Sequence, residues 1–122
     1  MLKILIVDDS IFAQKVTANL INKYLNDTEI SYATDGLEGF NKYKEIKPDY
    51  VFLDLLMPKI SGIELTKMIK EYDANAKIII LTADVQKNVQ EEVVSHGVLL
   101  FVNKPFNDEK ARLICELIRS KK

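Results

Sequence analysis

Cysteine is nearly absent from this sequence. Cys115 is the single one, so no intrachain disulfide can form and the chain suits a reducing compartment. An excess of one charge is lacking too. Lys plus Arg is 17 and Asp plus Glu is 18, and without a basic excess no nucleic-acid surface is expected. Long apolar runs are missing: the N-terminus, MLKILIVDD, holds only four consecutive apolar residues before two aspartates. That is too short for a signal-peptide core or a membrane span, so a cytoplasmic protein with no membrane partner is expected. No low-complexity tract, proline-rich linker or long charge block divides the chain. What is present is a hydrophobic content of 48% in 122 residues. That is enough for one core, and a single domain over residues 1–122 is expected.

Five short apolar runs recur along the chain, at Ile4 to Val7, Ile30 to Ala33, Tyr50 to Leu53, Ile78 to Leu81 and Leu99 to Val102. Their length fits strands. The first, third and fourth are unbroken and rich in Ile, Val and Leu, as in strands covered on both faces. The second alternates with polar residues and reads as an edge strand. Helical spacing fills the intervals. Phe12, Val16 and Leu20 form one stripe, Val85, Val89 and Val93 another, and Leu37, Phe40 and Tyr43 recur every three. Leu65, Met68, Ile69 and Tyr72 form a further stripe, as do Leu113, Ile114, Leu117 and Ile118. Asp35 with Glu38 and Ser61 with Glu64 match capping boxes, and Gly97 stands where a fourth helix should stop. The order is βα five times, which predicts an α/β doubly wound parallel sheet with strand order 2-1-3-4-5. In such sheets ligands bind beyond the carboxyl ends of the strands, where the order reverses.

Those ends carry the chemistry. Strand one ends in Asp8-Asp9, strand three in Asp54 and strand four in Thr82, followed by Ala83; Lys104 follows strand five. Three carboxylates brought together repel unless a cation joins them. A divalent ion and Lys104 would bring the sum to zero. Hard oxygen ligands without His or Cys favour Mg2+ or Mn2+ over zinc. Magnesium commonly bridges one or two carboxylates to a phosphate, and a carboxylate can serve as a nucleophile. The site therefore reads as prepared for a phosphoryl group. Each residue alone also has a structural reading, Asp8 to Ser10 as a helix cap above all; the convergence is what favours chemistry.

In four motifs the chain resembles the receiver domain of two-component response regulators, the CheY-like family. They are VDDS at 7–10, FLDLLMPKISG at 52–62, ILTA at 80–83 and FVNKPF at 101–106. The resemblance covers essentially the whole chain. It implies Asp54 as phosphoacceptor and Asp9 as a direct Mg2+ ligand, with Asp8 holding the ion through water and the Leu56 backbone carbonyl as a further ligand. It also implies Lys104 and Thr82 as contacts of the phosphoryl oxygens, Ala83 as an amide donor, Phe101 as the switch aromatic and a cis Lys104–Pro105 bond. Two positions depart from common patterns. Phe101 replaces the frequent tyrosine, and Leu56 stands where many relatives carry a polar or longer side chain; with Asp84, Leu56 should tune phosphoryl lifetime. The expected partners are a sensor histidine kinase or phosphotransfer protein and a separate effector at the face of helix four, strand five and helix five. The pathway could be chemotaxis. A monomer is expected, or a dimer once phosphorylated. Turnover as an enzyme is not expected. An aspartate-nucleophile phosphohydrolase and a receiver-like module that is never phosphorylated stay open as alternatives. His96 reads as a helix-end residue and Cys115 as packing.

Overall fold

The computed structural model describes residues 1–121. Five strands, β1 (Leu2–Val7), β2 (Thr28–Ala33), β3 (Tyr50–Leu53), β4 (Ile78–Thr82) and β5 (Leu100–Asn103), alternate with five helices. The helices are α1 (Ile11–Tyr24), α2 (Gly36–Ile46), α3 (Gly62–Tyr72), α4 (Lys87–Ser95) and α5 (Asp108–Ser120). All strand pairs are parallel and the order is 2-1-3-4-5, as the sequence predicts, with β2 on an edge. β5 begins one residue later than its apolar run, although the Leu99 amide already donates to Ile78 at 2.8 Å.

The unbroken apolar runs are explained by strand parity. Ile4, Ile6, Phe52 and Ile79 enter one core with Ile21 of α1 and Ile114 and Ile118 of α5. Leu5, Val7, Val51, Leu53, Ile78 and Ile80 enter the other with Leu65 and Ile69 of α3 and Val93 of α4. Each central strand is thus apolar on both faces because both are covered.

The caps follow the sequence. The Asp35 side chain accepts from the Glu38 amide at 2.9 Å, and Ser61 from Glu64 at 3.2 Å. Glu38 returns its bond to the Thr34 amide at 2.7 Å, one residue before the cap. Gly97 is left-handed, with φ +87, and ends α4 as its position requires.

Every helix departs from its apolar stripe at one member, with Leu37 of α2, Tyr72 of α3 and Leu113 of α5 about half exposed and α1 and the α4 region differing most. α1 buries Gln14, Thr17, Ala18 and Ile21, whereas Phe12 is 78% exposed. The i, i+3, i+4, i+7 spacing of the buried set is regular, but two of its members are polar. Val85 precedes α4 and is exposed. Phe12 stands in the first turn of α1 and Val85 in the loop before α4, where each faces solvent.

Cys115 is fully buried, and burial pushes its thiol up to about 11 against a small opposing effect of Arg119. At pH 8 roughly one thiol in a thousand is then ionised. Iodoacetamide at that pH should leave Cys115 of the folded chain unmodified for hours and label it within minutes in urea. Rapid labelling of the folded chain would contradict the burial. No helix among the described residues is long and apolar enough to cross a membrane.

Candidate functional site

Register brings the acids together. Val7 pairs with Leu53 in the last rung between β1 and β3, so Asp8 and Asp54 stand opposite one another just beyond it. Parity puts both on the face that carries Ile6 and Phe52. Asn103 pairs with Thr82 at the end of β5, and Lys104 follows with the parity of Val102, which packs on that same face. Its side chain reaches back over the strand ends. The ammonium lies 2.9 Å from Asp8 Oδ2 and 3.2 Å from Asp54 Oδ2. Asp8 and Asp54 are 5% and 7% exposed, so these are charge-assisted bonds shielded from water. Lys104–Pro105 is cis.

The backbone completes the cradle. Asp8 Oδ1 accepts from the Ser10 amide at 2.9 Å, and Asp54 Oδ1 from the Leu56 amide at 3.1 Å. Asp9 is exposed. One carboxylate oxygen each from Asp8, Asp9 and Asp54 lie within 4.8 Å of one another. Three carboxylates and one ammonium leave two negative charges, which a divalent cation cancels. All the donors are hard oxygens, so the set fits Mg2+ or Mn2+. Burial pulls the Lys104 ammonium down, but the hydrogen bond to Asp8 and the charges of Asp54 and Asp8 outweigh it and hold its pKa above the ordinary lysine value. A raised lysine pKa stabilises the fold below the unfolded value and loses that contribution only as the pH climbs through the folded one. The pairing is therefore intact throughout the neutral range.

Thr82 has the opposite parity, shared with Ile78 and Ile80. It is fully buried, and its hydroxyl accepts from the Asp84 amide at 3.1 Å. Phe101, paired with Ile80, lies on the same face and is partly buried against the second core, as are Val89 and Val98. Lys104 and Asp54 therefore occupy one face of the sheet end, with Thr82 and Phe101 on the other. Ala83, between them, is exposed.

The sequence reading missed Gly62. Its amide donates to the Leu55 carbonyl at 3.0 Å, and a Cβ there would fall 2.3 Å from the Asp54 carbonyl oxygen and 2.4 Å from Leu55 Cα. α3 starts flush against the backbone that carries Asp54, and only a residue without a side chain permits it. Gly62 closes the second motif, but nothing in the sequence shows what its missing side chain makes room for.

Among known proteins, the family model described as "Response regulator receiver domain" matches residues 4–116. The chemotaxis protein CheY of Listeria monocytogenes is 37% identical over 111 residues, covering 90% of this chain and 92% of that protein. CheY of Thermotoga maritima is 38% identical over 108 residues, covering 88% of this chain and 89% of its own. A solved structure of the CheX–CheY–BeF3–Mg2+ complex of Borrelia burgdorferi contains a chain that superposes with a TM-score of 0.86 at 29% identity, covering 99% of this chain and 90% of that one.

Proposed function

The chain belongs to the response regulator receiver domain family, and from that premise we propose that it is a cytoplasmic regulator accepting a phosphoryl group on Asp54. The observation that carries this reading is the closure of Lys104 on Asp8 and Asp54, with Asp9 in reach of both. The donor is a phosphohistidine of a sensor kinase or phosphotransfer protein. Asp54 Oδ attacks phosphorus in line, the P–N bond breaks as the P–O bond forms, and the imidazole leaves with the electron pair and takes up a proton. A magnesium ion held by Asp8, Asp9, Asp54 and the Leu56 carbonyl would neutralise phosphoryl oxygens as a Lewis acid. Lys104 adds its own positive charge at those oxygens, and the Ala83 amide a further donor. Water later hydrolyses the acyl phosphate at a rate tuned by Leu56 and Asp84. As a signalling module, the chain promotes only its own phosphorylation and dephosphorylation.

Transmission uses the other face of the sheet. Thr82 gives up its bond from the Asp84 amide and turns its hydroxyl toward the phosphoryl group. Phe101 moves into the space behind it, which shifts the population between two forms of the α4–β5–α5 face. A separate effector protein reads that face. The identity to CheY proteins supports chemotaxis as the setting.

Titration calorimetry tests the site. Mg2+ should bind saturably to the wild-type chain, and Asp9→Asn should weaken it at least about tenfold by removing a direct charged ligand. Equal affinity in the two chains would remove Asp9 from the site.

A further inference from the structure

Gln14 is a polar side chain on the inward face of α1, only 5% exposed, and phosphoryl transfer as derived above does not use it. Its Nε2 donates to the Asp8 carbonyl at 2.7 Å and to the Ala33 carbonyl at 3.1 Å. Both oxygens lie where the ladder between β1 and β2 stops. Val7 pairs with Ala33 in its last rung, and the Asp8 amide still donates to the Ala33 carbonyl at 3.0 Å. Beyond this point β2 turns into Asp35, the cap of α2. The next rung would have brought a strand amide to the Asp8 carbonyl. A buried carbonyl needs a donor, and Gln14 supplies it from the helix layer.

That carbonyl has a second significance. It lies in the same planar peptide group as the Asp9 amide. Holding its direction holds the plane, and the plane sets the direction in which Asp9 leaves the strand. The Asp8 side chain is fixed independently by the Ser10 amide and Lys104. Asp9 is exposed, so its place beside Asp8 and Asp54 depends on the backbone.

We propose that Gln14 is a positioning residue of the cation site, its amide setting the Asp8–Asp9 peptide plane and thereby aiming the Asp9 carboxylate. This rests on the magnesium reading above. The test compares the Mg2+ dissociation constants of the full-length wild-type, Gln14→Leu and Ile118→Val chains by calorimetry, with urea unfolding run alongside to establish that each is folded. Leucine fills the space without a donor, and Ile118, near the far end of α5, controls for lost core packing. Gln14→Leu should bind Mg2+ about tenfold more weakly, and Ile118→Val as wild type does. A Gln14→Leu constant within twofold of wild type overturns the inference alone; a wild-type chain that does not bind Mg2+ overturns the magnesium reading as well. Should Gln14→Leu not fold, an NMR titration of the wild-type chain decides. The Gln14 side-chain NH2 signals should move with the Asp9 amide over the same Mg2+ range. Stationary Gln14 signals beside a moving Asp9 would refute the coupling.

Discussion

Asp54→Asn should take up no phosphoryl group from acetyl phosphate and Mg2+, whereas the wild-type chain is labelled within minutes. The amide removes the negative charge on which attack at phosphorus would depend, and the two neighbouring carboxylates are otherwise engaged: Asp8 is bonded to the Ser10 amide and Lys104, and Asp9 is the proposed direct ligand of the cation. We expect a loss of at least about a thousandfold in labelling rate, as for removal of other covalent nucleophiles. The fold should survive. The Asn carbonyl can still accept from the Leu56 amide, and Lys104 keeps Asp8 as its anionic partner. Phosphoryl mass gain and circular dichroism together make the result readable. Undiminished Mg2+-dependent labelling of the variant would place the acceptor elsewhere.

Gly62→Ala should cost about 3 kcal/mol in urea unfolding, at the upper end for overpacking because the colliding atoms are backbone. The added Cβ would need to occupy space 2.3 Å from the Asp54 carbonyl oxygen, so either α3 moves off the sheet or the β3–α3 loop gives way. Both displace the Leu56 amide from the Asp54 carboxylate, so the surviving folded fraction should also be labelled more slowly. Gly39→Ala is the comparison. Its Cβ would meet side-chain methyls of Val7 and Leu65 at 3.1 to 3.2 Å, which can adjust, and a smaller loss of about 1 kcal/mol is expected with labelling intact. Equal stability of Gly62→Ala and wild type would show that the loop has slack.

Strand positions and topology were legible because each central strand is apolar on both faces, and a run such as Ile78-Ile79-Ile80-Leu81 has no other economical reading. The three acids and Lys104 were legible because topology delivers them to one sheet end whatever their individual contexts. The α1 face was not. Phe12, Val16 and Leu20 make the better hydrophobic stripe, yet the helix turns Gln14 and Thr17 inward. Hydrophobicity predicts burial only where nothing polar needs a partner, and the end of a ladder creates such a need. The Thr82 bond to Asp84 was also hidden, since a hydroxyl at a strand end can turn either way and only the loop geometry decides.

Asp8 and Lys104 are separated by 96 positions in the chain. Their ion pair can form only when the first strand and the segment after the last occupy the same sheet. During synthesis Asp8, Asp9 and Asp54 all emerge before Lys104, so a partly made chain carries the mutual repulsion without its remedy. The pairing therefore closes late in assembly, only after β5 has joined the sheet that β1 began.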